Sequence, residues 1–152
     1  MNIFQVPQRR VRVRVLIDGG QRLEGVMYAP ESSPAGSAGR LSDRLNDRKA
    51  PFVPVTCDEQ SYLLNKRSVL VVELDVDEGA IEVPEGAGGS RPAVLLWMSD
   101  GVQLSGELPY EMPPERRRLL DYLNESPQFV PLVVDGQVLL INRERVCRVQ
   151  GD

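Results

Sequence analysis

The stretch Arg9-Arg10-Val11-Arg12-Val13-Arg14-Val15 alternates cations with β-branched residues. Period two is the side-chain repeat of a strand, so Arg10, Arg12 and Arg14 share one face and the valines the other. Alternate residues of a strand stand about 6.6–6.8 Å apart, close to the phosphate repeat of an extended nucleic-acid strand. Guanidiniums at that spacing could follow a phosphate backbone, in a contact that weakens steeply with salt. A solvated outer face produces the same alternation. Polar residues also gather at two corners, Asn65-Lys66-Arg67 and Asn142-Arg143. There each Asn and its cation could meet a ligand, or the Asn could bond the local backbone and fix the corner.

Other chemistry is sparse. The chain has no histidine, which removes the commonest general base and the commonest metal ligand together. Asp43 and Asp121 occupy matching contexts, yet no nucleophile, base or metal ligand accompanies them. Two cysteines, Cys57 and Cys147, are too few for a zinc site or a disulfide framework. The lone Trp97 could anchor a partner or fill a core. The sequence therefore predicts a protein that is not an enzyme, with no catalytic residue, metal ligand or cofactor.

Charge narrows the partners. Eighteen Lys and Arg against 22 Asp and Glu give a net charge of −4, and aromatic residues make up 5%. A net negative chain with few stacking side chains is poorly suited to single-stranded nucleic acid. The charge is uneven: residues 1–74 sum to +3, 75–91 to −4 and 92–152 to −3.

The elements that must carry these residues are written twice. Gly20, Leu23, Gly25 and Met27 overlay Gly101, Leu104, Gly106 and Leu108. Arg40, Leu41, Asp43, Leu45 and Asn46 then overlay Arg118, Leu119, Asp121, Leu123 and Asn124. Finally FVPVTCDEQSYLLNKRSVLVV overlays FVPLVVDGQVLLINRERVCRV without a gap. Ordered matches broken only at a loop point to an internal duplication. Each copy begins with an alternating strand, Val11–Ile17 or Val94–Met98, and a Gly-rich turn. A second strand follows with an internal glycine, Gly25 or Gly106, which marks bending or close backbone approach. Leu41/Leu45 and Leu119/Leu123 stand four apart, on one face of a short helix. Pro113-Pro114-Glu115 suits a helix start, and Asn46 and Asn124 suit a left-handed stop. Asp135-Gly136 is a strong hairpin turn, with Asp58-Glu59 in the same slot.

The fold expected is mainly β (α+β): two tandem five-stranded small barrels of SH3 or Sm type, each with a short helix between strands 2 and 3. Residues 1–74 form the first, 92–152 the second, and the acidic Gly/Pro-rich residues 75–91 a linker. Residues 29–39 read as a flexible loop. The longest apolar runs are too short to span a bilayer, and Met1–Pro7 lacks the pattern of a secretory signal. No membrane association and a cytoplasmic location are expected.

Three resemblances follow. The order of strand, Gly-rich turn, strand, hairpin and basic corner resembles the Sm/Hfq-type small barrel, although here the helix lies inside the domain. That resemblance implies RNA contact at Asn65, Lys66, Asn142 and Arg143. The series RLSDRLN, FVPV and LLNKRSV is similar to a bacterial family of small uncharacterised domains, which implies bacterial origin and assigns no activity. Arg10 and Arg14 followed by Glu31, Ser33 and Gly36 resemble the cyclic-dinucleotide signature of PilZ barrels, with Glu31 where that signature has Asp or Asn. The function expected is a non-enzymatic binding or adaptor module working by protein–protein contact or self-association. RNA binding through the arginine face of the first repeat is the alternative, with Arg67 beside the corner, and cyclic-dinucleotide binding the minor one.

Overall fold

A computed structural model describes residues 8–32, 36, 38–84, 91–110 and 119–151. The alternating arginine segment is a strand, β1 (Gln8–Ile17), paired antiparallel with β2 (Arg22–Pro30). Val11, Val13 and Val15 are buried, while Arg10, Arg12 and Arg14 face outward. A short helix α1 (Leu41–Leu45) precedes the hairpin β3 (Phe52–Cys57) and β4 (Gln60–Asn65). A 3-10 turn over Lys66–Ser68 leads into β5 (Val69–Leu74). Then come α2 (Val76–Glu82), β6 (Ala93–Met98), β7 (Gln103–Glu107), α3 (Leu119–Glu125), β8 (Phe129–Val134), β9 (Gln137–Asn142), a 3-10 turn (Arg143–Arg145) and β10 (Val146–Gly151).

The strand glycines do what their positions require. A Cβ on Gly25 would lie 2.4 Å from the Thr56 carbonyl oxygen, and one on Gly106 would lie 2.5 Å from that of Val133. At both places the chain is so close to the next strand that only glycine fits. Each of those pairings, β2 with β3 and β7 with β8, consists of a single residue pair.

The ten strands form one antiparallel sheet in the order β10-β6-β7-β8-β9-β5-β1-β2-β3-β4. The first half contributes β5-β1-β2-β3-β4 and the second β10-β6-β7-β8-β9, so corresponding strands follow the same order. Mainly β is therefore right. The expected pair of separate five-stranded barrels is replaced by a continuous sheet, because β9 pairs with β5 across the halves: Val71 faces Ile141, Val72 faces Leu140 and Glu73 faces Leu139. Edge strands carry unpaired N–H and C=O groups, and this junction satisfies two edges at once.

The acidic segment also departs from expectation. Residues Val76–Glu82 form α2, which packs on β9 with Gly79 seated against Val138. The Glu82 carboxylate accepts the Leu41 and Ser42 N–H groups at 2.8 and 3.2 Å, which are orphan donors at the start of α1. This part of the expected linker is a docked helix.

The buried side chains form two clusters. Val11, Val13, Val15, Met27, Leu41, Leu45, Val53 and Val55 make up most of the first. Val94, Leu96, Met98, Leu108, Val130 and Leu132 make up most of the second. Each takes side chains from the opposite half: Phe129, Val138 and Leu140 enter the first, and Leu70 and Val71 the second. The two leucines of α1 are fully buried, and Leu119 and Leu123 pack on the second cluster. Asn46 ends α1 at φ −91°, ψ 0°, outside the left-handed region expected of it. No helix among the described residues is long and apolar enough to cross a membrane.

Candidate functional site

Three surfaces are candidates for a functional site. The first is the arginine face. Arg10, Arg12 and Arg14 line an open groove of about 530 Å³ together with Glu24, Asp58, Glu59, Glu73 and Asp75. Arg14 stands opposite Glu24 and Glu73 on the flanking strands and makes a 3.2 Å ion pair with Glu73. The face is thus a mixed-charge surface, and the acids repel a phosphate that the arginines would attract. Glu31 and Gly36 are described, whereas Ser33 of the PilZ-like pattern lies outside the described residues.

The second surface is the corner. Asn65 accepts the Arg67 N–H at 3.0 Å and Asn142 accepts the Glu144 N–H at 3.1 Å, so both amides cap the 3-10 turn that follows them. Asn142 is fully buried, and its Nδ2 donates to the Lys66 and Val69 carbonyls at 3.1 and 2.8 Å. It therefore clamps one half of the sheet to the other. Lys66 is 3% exposed, with Nζ donating to the Arg44 and Asp47 carbonyls at 2.8 and 3.0 Å. Burial pushes its ammonium below the ordinary lysine range, a shift the neighbouring Arg44 adds to and Asp47 opposes. These contacts tie Lys66 to the last turn of α1. Arg143 donates to the Pro127 carbonyl at 3.2 Å. Arg67 keeps its side chain on the surface beside a shallow groove of about 350 Å³. The corner residues thus meet around a junction between halves, and two of them are inside it.

The third surface is apolar and lies at the end of the sheet. Phe52, Tyr62 and Leu63 are 51%, 45% and 71% exposed on β3 and β4, and among the described residues β4 pairs only with β3. In the second half the matching positions are Phe129 and Leu140, which are 1% and 0% exposed. Their cover comes from across the β9–β5 junction. The Phe129 backbone is further bracketed by Asn46, which accepts its N–H at 2.6 Å and donates to its carbonyl at 3.1 Å. The apolar edge is not legible in the sequence because Phe52 and Phe129 are the same residue in the same motif; only the strand beyond them differs.

At the opposite end, Arg148 lies 3.9 Å over the centre of the half-buried Trp97 ring. The described residues contain no group of His, Cys, Asp or Glu placed to hold a metal ion. No protein-family model, curated protein or solved structure matches the chain.

Proposed function

We propose that the protein is a non-enzymatic binding module acting by protein–protein contact, with the free edge of β4 as its docking strand. The observation that carries this reading is Leu63, 71% exposed on a strand with one side of its backbone unpaired. An edge of this kind takes an extended segment as an added strand, with main-chain hydrogen bonds giving affinity and side-chain pockets giving specificity. Natural edges are commonly protected by Lys, Pro or a bulge, and Gln60-Ser61-Tyr62-Leu63-Leu64-Asn65 carries no such device. The same reading treats the halves as duplicated five-stranded units sharing one sheet, in a cytoplasmic bacterial adaptor.

RNA binding through Arg10, Arg12 and Arg14 is the second reading, favoured by their outward alignment and opposed by the five acids in their groove. A pull-down with tagged wild type and Leu63→Lys separates the two, performed with and without nuclease. The expected result is a polypeptide retained by wild type after nuclease and lost by Leu63→Lys. Nucleic acid retained equally by both, and released by salt, would overturn the edge reading.

A further inference from the structure

Among the described residues there is one complete junction between the halves, and the two counterparts of that junction lie unpaired at the ends of the sheet. Inside the chain, β9 of the second half pairs with β5 of the first. By position in each half, β4 corresponds to β9 and β10 to β5, and these are the two outer strands of the sheet. We propose that copies of the chain associate head to tail, the free edge of β4 in one copy pairing with the free edge of β10 in the next. This rests on reading the β4 edge as a polypeptide-binding strand, and names its occupant.

The internal junction supplies the details. Transferring its register sets Leu64 opposite Arg148, Leu63 opposite Val149, and Tyr62 opposite Gln150 of the next copy. Leu63 then takes the covered position that Leu140 holds, and Phe52 that of Phe129, so both exposed side chains are covered together. The polar clamps have counterparts as well. Asn46 brackets the backbone of Phe129; its counterpart Asn124 is exposed on α3 and would bracket that of Phe52. Asn142 donates to the Lys66 and Val69 carbonyls; Asn65 would donate to those of Arg143 and Val146. Gln137 donates to Glu73 Oε1 and to the Leu74 carbonyl at 2.7 and 3.2 Å; Gln60 faces Gln150 and Gly151 in the same roles.

Other parts do not recur. Arg145 pairs with Asp18 at 2.8 Å across the internal junction, whereas Ser68 and Ser99 stand at the matching positions. Leu70 and Val71, buried at the junction, are matched by exposed Cys147 and Arg148. The contact between copies is therefore weaker than the internal one and reversible. Because it joins unlike edges it is heterologous, giving a ring where the rotation closes and a filament where it does not.

The test uses the full chain. Light scattering at micromolar concentration is expected to give a mass above that of one chain for wild type, and that of one chain for Leu63→Lys with an unchanged circular dichroism spectrum. Register is read by disulfide trapping with Cys57 and Cys147 replaced by serine. Leu63→Cys with Val149→Cys is expected to cross-link between copies, and Leu63→Cys with Arg148→Cys, whose side chains leave opposite faces, is not. Efficient cross-linking by Leu63→Cys alone would mean two β4 strands paired about a two-fold and would overturn the head-to-tail arrangement. Wild type that stays a single chain also overturns it. If Leu63→Lys then loses a different polypeptide in the pull-down, the edge reading stands without self-association; if it loses none, both fail.

Discussion

At the scale of single residues, identity and context separate cleanly. The alternation of Arg10, Arg12 and Arg14 with buried valines is legible in the sequence because a strand has only two faces. Their acidic neighbours are not, since Glu73 reaches the groove from β5 and Asp58 from the β3–β4 turn, and the sequence does not state which strands lie side by side. The asparagines are a harder case. Asn46 reads as a helix stop and is one, but its amide also holds Phe129, 83 positions away. The hairpin turns give a direct test. Asp58 and Asp135 have φ of 47° and 50°; Gly136 follows the second, whereas Glu59 follows the first at φ 66°. A non-glycine residue held in the left-handed region costs about 1–2 kcal/mol. Glu59→Gly is therefore expected to stabilise the protein by about 1 kcal/mol, raising the melting temperature by about 2–4 °C. Calorimetry of the two proteins checks this, and a lower melting temperature for the variant would show that Glu59 makes compensating contacts.

Elements are legible where periodicity is strong and fail where packing is done by something small. The strands and the leucine-paired helices follow from their repeats of two and four. The helix α2 does not, because the sequence there is acidic and its Val76 is 65% exposed. Its contacts are Gly79 against Val138 and a 3.2 Å ion pair from Glu78 to Arg9 of β1, which no hydrophobic stripe announces. Glu82, 3% exposed beneath the first turn of α1, ties the two helices together, with Arg40 Nε donating to the Ile81 carbonyl at 3.1 Å beside it. Burial pushes its carboxyl above the ordinary glutamate range, against hydrogen bonds from Ser42 and Leu41 and the nearby Arg40 charge. A raised carboxyl favours the protonated folded state, so its contribution is complete below the ordinary range and is lost as pH rises through the folded value. The melting temperature of wild type relative to Glu82→Gln, which does not titrate, should accordingly fall as pH rises from acid toward neutral. A difference that grows with pH would mean that the two N–H groups on the carboxylate outweigh its burial.

For the whole molecule, the expectation of two separate barrels fails at β5, and the reason lies in four residues. Val69-Leu70-Val71-Val72 is a continuous apolar run, buried throughout, and such a run belongs to a strand covered on both faces. Val69 and Val72 enter the first cluster, Leu70 and Val71 the second. The matching run in β10, Val146-Cys147-Arg148-Val149, is interrupted by two exposed residues because it ends the sheet. The difference between these tetrapeptides was the sequence's one sign that the halves join through β5, and overlaying them as equivalents hides it. The expected consequence for stability is a single cooperative unit. Leu70 belongs to the chain of the first half and to the core of the second, so Leu70→Ala opens a void at the junction and should cost about 2–5 kcal/mol. Its calorimetric trace is expected to show one transition, shifted down as a whole. A trace that splits, with one half melting near the wild-type temperature and the other well below it, would mean that the halves fold independently and that their shared sheet is a contact between finished domains.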